Sequence, residues 1–175
     1  MDTDTTHHLR EILESFDTAM LITRAAGEQQ HARPMAVAAV EGLATLWFVT
    51  SASSPKALEV QRDARVSATF QSSARFVALS GHAELVRNPA KVDELWKASW
   101  NVWFPEGKND PSIVLIRVDV ADVEFWDNAG SKGIRYVFEA AKALFNKDAP
   151  REVEGQHARL KRPDLQPASG PSRSH

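Results

Sequence analysis

Between Leu46 and Ala57 the chain reads Leu-Trp-Phe-Val-Thr-Ser-Ala-Ser-Ser-Pro-Lys-Ala. An apolar run ends in hydroxyl-bearing residues, and Ser54-Pro55-Lys56 then opens a helix. Serine is a strong helix cap, and proline suits the first helical position, where its missing N–H costs nothing. Free backbone N–H groups and the positive end of the helix dipole gather at such a point. Lys56 adds a full charge there, and Thr50, Ser51, Ser53 and Ser54 add hydroxyl donors. That set of groups can bind a phosphate. The same residues also describe an ordinary capped surface helix with a solvated lysine.

Two other groups carry chemical potential. Arg33-Pro34-Met35 places a planar, bidentate donor at the entrance to a strand, suited to a phosphate or a carbonyl. It also fits a surface arginine before an edge strand. Trp100, Trp103 and Phe104, with Trp47 and Trp126 elsewhere, supply rings that can stack on a flat heterocycle, cover a subunit interface or pack in a core. The six histidines are scattered, with no pair at metal-ligand spacing on one helix face, so no metal is predicted. No residue stands out as a general acid or base.

The elements that must hold these groups follow from periodicity. Leu9, Ile12, Leu13 and Phe16 form one stripe of a first helix capped at Thr5 or Thr6. Ala19–Thr23, Pro34–Val40 and Ala44–Thr50 read as strands, the last two joined by a turn at Glu41-Gly42. A short helix runs from Pro55 to about Arg62. Val66, Ala68 and Phe70 alternate with polar residues as in a half-buried strand, and so do Val77, Leu79, Gly81, Ala83 and Leu85. Asn88-Pro89 starts a helix that carries Val92, Leu95, Trp96, Trp100 and Trp103 on one face as far as Phe104-Pro105. Ile113–Trp126 is a long strand whose apolar parity switches after Val120, which predicts a one-residue bulge near Ala121-Asp122. Ile134, Val137, Phe138, Ala141, Leu144 and Phe145 mark a last amphipathic helix. Residues 146–175 are rich in proline and charge and read as a disordered tail after a single domain over residues 1–145. Six strands with mostly short connections predict a mainly β, α+β fold: a six-stranded antiparallel barrel with peripheral helices.

Bulk properties narrow the function classes. The 175 residues carry 21 Lys+Arg against 23 Asp+Glu, a formal net charge of −2, which gives no general attraction to nucleic acid or an anionic membrane. There is no cysteine, so disulfides and thiolate metal sites are excluded. No apolar run approaches the ~20 residues of a membrane-spanning helix, and the first eight residues are polar, unlike a signal peptide. A cytoplasmic protein is the expectation.

The order Arg33-Pro34-Met35, Leu46 to Thr50, Ser54-Pro55-Lys56 and Val66-Ser67-Ala68-Thr69-Phe70 resembles the FMN-binding split-barrel superfamily. The pattern is nearest to its general stress protein family, related to the pyridoxamine 5'-phosphate oxidases. Ser80 to Val86, Trp103 to Gly107 and Val123 to Asp127 extend the resemblance over roughly residues 8 to 145. It implies a homodimer with FMN, or FAD, at the subunit interface. It places Arg33, Pro34, Met35, Ala36 and Val37 against the ring, largely through backbone atoms. Trp47, Phe48, Val49, Thr50 and Ser51 would run beside the ring and ribityl chain. Lys56, with hydroxyls near Thr50, Ser51 and Ser54, would hold the phosphate. The partner's Trp100 to Gly107 segment, including Trp100 and Trp103, would close over the ring. Pro55 stands where pyridoxamine phosphate oxidases carry a second basic residue, and the tail lacks their arginine-rich substrate motif. The resemblance therefore implies a flavin-dependent oxidoreductase of unassigned substrate, or a flavin-binding stress protein without turnover. A barrel that has lost its cofactor ranks last, because Lys56 and the hydroxyl loop are intact.

Overall fold

The computed structural model describes residues 3–128 and 157–161. Helix α1 (Thr3–Glu14) precedes strands β1 (Thr18–Arg24), β2 (Gln30–Glu41) and β3 (Thr45–Ser51). Helix α2 (Pro55–Arg62), strands β4 (Arg65–Gln71) and β5 (Arg75–Val86), helix α3 (Pro89–Leu95) and strand β6 (Ile113–Asp127) follow, with β7 (His157–Lys161) last. The strands pair antiparallel in the order β3-β2-β1-β4-β5-β6-β7, and β3 also pairs with β6. That extra pairing closes six strands into the predicted antiparallel barrel.

Apolar alternation decides the interior. Val66, Ala68 and Phe70 of β4 and Val77, Leu79 and Ala83 of β5 point inward and are buried. The α1 stripe of Leu9, Ile12 and Leu13 packs into the same core, with Phe16 tilted against Phe70. The helix starts ahead of the expected cap, so Thr5 and Thr6 lie inside it. Strand β3 is buried on both faces, which is why Leu46 to Val49 is a continuous apolar run. Its Phe48 joins the barrel core, while Trp47 and Val49 join a second cluster with Val92, Leu95, Trp100 and Phe104 outside the barrel.

The predicted bulge is present. Ser80 pairs with Asp122 but Gly81 pairs with Val120, so Ala121 is the extra residue. A Cβ on Gly81 would lie 2.2 Å from the Asp119 carbonyl oxygen, so only glycine admits this close approach. The bulge divides β6: Ile113 to Asp119 closes on β3, and Asp122 to Trp126 pairs with β7.

Three expectations need correction or lie outside what is described. The third helix does not run to Phe104. It ends at Leu95, and Ala98–Val102 forms a separate 3-10 turn. Trp96 leaves the helical region (φ −58°, ψ 130°), and Lys97 Nζ donates to the Val37 carbonyl at 2.9 Å. The break lets Trp96, Trp100 and Phe104 cluster on the sheet, with Trp96 and Trp100 edge to face at 5.6 Å. A straight helix would not follow that curved surface. Second, residues 157–161 lie in the expected disordered tail yet form β7, because the lower half of the β6 edge is free and Arg159 pairs there with Asp122. Third, the amphipathic helix expected over 134–145 lies outside the described residues.

Candidate functional site

The site begins where two neighbouring strands part. Strands β2 and β3 pair from Val37–Phe48 to Glu41–Thr45, with a bulge between Val37 and Ala39 that the sequence did not signal. Beyond Phe48, β3 continues to Ser51 paired to β6, while β2 runs back to Gln30 paired to β1. The two strands therefore splay. Val37 N–H donates to Asp17 O, so odd-numbered N–H groups of this part of β2 face β1 and even-numbered ones face the gap. Pro34 falls at an even position and forfeits no ladder bond. The Ala36 N–H looks into the gap without a strand partner on that side.

Helix α2 closes the far end. Its Ser54 cap accepts from Ala57 N at 3.3 Å and shares a 3.0 Å hydrogen bond with Thr50 Oγ1. A cavity of about 300 Å³ fills the gap. Pro34, Met35 and Ala36 form one wall; Val49, Thr50 and Ser51 form the other. Ser54 and Lys56 add polar groups to the lining, and Trp103 and Phe104 add aromatic ones. Burial, and then the nearby Arg33 charge, hold the Lys56 ammonium below the ordinary lysine value, with Glu59 pulling the other way. Among the described residues no carboxylate pairs with Lys56. The site thus combines a cation that no described carboxylate pairs with, hydroxyls at a helix N-terminus and an apolar, aromatic cleft.

The residues singled out in the sequence are not all brought to this cavity. Pro34, Met35, Ala36, Val49, Thr50, Ser51, Ser54, Lys56 and Trp103 line it. Phe48 and Val37 sit in the barrel core and Trp47 and Trp100 in the outer cluster; Val37, Trp47 and Phe48 lie where β2 and β3 are still paired, short of the gap. Trp47 lies instead under the Lys91 ammonium, 5.4 Å from ring centre to nitrogen. Arg33 does not line the cavity: its guanidinium is held by Glu59 at 2.8 Å and by Thr23. Trp103 is 62% exposed and Val102 80%, an apolar lip beside the cavity mouth.

The Trp100 to Gly107 segment was expected to close over the ring from the partner, but Trp103 and Phe104 of this same chain line the cavity. Sequence reading missed Glu59 behind it. Glu59 gave one faint signal, an acidic residue one turn after Lys56 on the face that α2 buries with Ala57 and Val60. Among the described residues, no three side chains cluster as metal ligands would, and no helix is long and apolar enough to cross a membrane.

Comparison with known proteins fits this geometry. The family described as pyridoxamine 5'-phosphate oxidase like matches residues 4–151. The chain belongs to that family. General stress protein 26 of Bacillus subtilis (strain 168) is 26% identical over 93 residues. That match covers 50% of this chain and 65% of the relative, just under two thirds of its length. The general stress FMN/FAD binding protein of Xanthomonas citri is 30% identical, with TM-score 0.64, over 74% of this chain and 93% of that one. A protein related to general stress protein 26 from Clostridium acetobutylicum shares the fold, with TM-score 0.69 at 14% identity over 95% of this chain and 100% of that one. The family resemblance read from Arg33-Pro34-Met35, Ser54-Pro55-Lys56 and the strand motifs is therefore right, as is the split barrel.

Proposed function

We propose that this chain is a flavin-binding protein of the general stress type that holds FMN in the β2–β3 gap and acts as an oxidoreductase in the cytoplasm. The observation that carries this reading is Lys56, a half-buried cation at the capped N-terminus of α2 with no acidic partner among the described residues. It lines the same cavity as the apolar Met35 and Val49 and the aromatic Trp103 and Phe104. That combination matches a ligand with an anionic tail and a flat, apolar head, which is the chemistry of a flavin nucleotide. The flavin-binding name of the Xanthomonas citri relative points the same way.

Each group then has a task. The Lys56 ammonium and its backbone N–H at the start of α2 bind the phosphate, and Thr50, Ser51 and Ser54 supply hydroxyls beside it. The Ala36 N–H on the unpaired edge of β2 offers a backbone donor to the ring. Phe104 and Trp103 exclude water from one side. When bound, the flavin supplies the redox chemistry, and the protein orients it. A second copy of the chain covers Val102 and Trp103, because large exposed apolar side chains at the rim of a site are the material of interface cores. Lys56 is the only titratable group among the described cavity-lining residues. That observation also favours a flavin carrier without turnover.

Purified protein is expected to show flavin absorption bands, with FMN as the extracted pigment, and to sediment as a dimer at micromolar concentration. NADH or NADPH added without oxygen separates the readings: rapid bleaching marks the enzyme, and an unchanged spectrum the carrier. Protein that is colourless and binds added FMN no better than riboflavin refutes the proposal.

A further inference from the structure

Behind Lys56 stands a buried acid that does not touch the cavity. Glu59 lies one turn further along α2 and is only 6% exposed. Its Oε2 accepts from both the Thr23 hydroxyl and Arg33 Nη2, the latter at 2.8 Å. Its Oε1 lies 2.7 Å from His31 Nδ1. Arg33 Nη1 also donates to the hydroxyl of Thr23, which is fully buried. Burial disfavours the Glu59 carboxylate, but the bonds from Thr23, His31 and Arg33 outweigh it and hold its pKa below the usual value. Glu59 is therefore an anion at neutral pH, held inside the protein by three neighbours.

The clamp leaves Arg33 with capacity to spare. A guanidinium has five N–H donors, and Thr23 and Glu59 use two of them. The remaining donors have no partner among the described residues. Arg33 directly precedes Pro34 of the cavity wall and is tied at 2.8 Å to Glu59, one turn beyond Lys56 on the same helix. Two cations side by side repel, and a long arginine side chain is otherwise mobile. A carboxylate that grips Arg33 from behind, on the helix that carries Lys56, removes both problems.

We propose that Glu59 is a positioning residue that gives the site its preference for a phosphorylated flavin. It fixes Arg33 behind the cavity wall, next to the turn of α2 that carries Lys56, and offsets part of their charge, so a second positive charge is held at that side of the site before the ligand arrives. This inference rests on the flavin reading of the cavity and names what selects the phosphate.

The test is a double-mutant cycle read as the ratio of FMN to riboflavin affinity. Arg33→Ala and Glu59→Ala should each lower that ratio about tenfold, the scale of one charge-assisted hydrogen bond. The double variant should lower it no further than either single one. Glu59→Gln should keep most of the ratio. Its amide oxygen can accept from Thr23 and Arg33 as Oε2 does, and its NH2 can face His31. Should Glu59→Ala fail to fold, Thr23→Val removes the bridging hydroxyl and should lower the ratio in the same direction. Equal loss for both flavins, additive losses in the cycle, or an unchanged ratio in Glu59→Ala or Thr23→Val overturns the proposal. Lys56→Ala, run in parallel, separates the two levels. A ratio unmoved by Lys56→Ala removes the phosphate site itself. A ratio moved by Lys56→Ala but not by the Glu59 series removes the positioning role alone.

Discussion

Lys56→Ala is the sharpest single test of the site. The variant removes the ammonium at the second position of α2 but keeps the Ser54 cap, Pro55 and the backbone N–H of residue 56. A charge-assisted hydrogen bond contributes about 1.5–3 kcal/mol. The helix N-terminus contributes about 0.3–1 kcal/mol more to an anion and survives the substitution. FMN affinity should therefore fall by about 1.5–3 kcal/mol, or roughly 10- to 150-fold. Riboflavin has no phosphate, and its affinity should change by less than about threefold, under 0.7 kcal/mol. Folding should not suffer, because burial and the Arg33 charge already disfavour the Lys56 ammonium in the folded chain. Titration by flavin fluorescence, with a thermal melt of the ligand-free protein, measures all three quantities. Equal losses for FMN and riboflavin, or a lowered melting temperature that accounts for the lost binding, would refute the phosphate assignment.

Two further outcomes follow from the same structure. Gly81→Ala drives a Cβ into the backbone of Asp119 and Val120 at the bulge, where nothing flexible can yield. It should cost at least about 3 kcal/mol, at the upper end of overpacking, and lower the melting temperature by on the order of 10 °C; an unchanged melt contradicts the bulge. The preference for FMN over riboflavin should be bell-shaped in pH. On the acid side a phosphate monoester loses its second charge near pH ~6. On the alkaline side the Lys56 ammonium is lost as pH rises through its lowered pKa, so the preference declines before the ordinary lysine range is reached. A preference that stays flat through that range excludes Lys56 as the phosphate ligand.

Much of the architecture was legible because local chemistry and tertiary packing agree. Asn88-Pro89 and Ser54-Pro55 each start a helix where the cap rules put them, with the cap side chain accepting from the third residue on. The parity switch between Val120 and Val123 revealed the bulge at Ala121, because a strand with one buried face must keep its apolar residues on that face. The run from Trp103 toward Leu95 misled, since helical spacing on paper does not record the sheet against which Trp100 and Phe104 pack.

Determined by the sequence alone were the barrel, the capped helix with its lysine and the family to which they belong. These rest on interactions between residues a few positions apart and on motifs read in order. What only the tertiary structure decided is which of those residues meet. Strands β2 and β3 separate beyond Val37 and Phe48, so Pro34 to Ala36 and Val49 to Ser51 line a common gap while Val37 and Phe48, still paired, do not. Arg33 turns to Glu59, 26 residues away along the chain, because a buried carboxylate must find a cation or lose its charge. Pairings across that distance depend on how the strands register, and no local pattern encodes them.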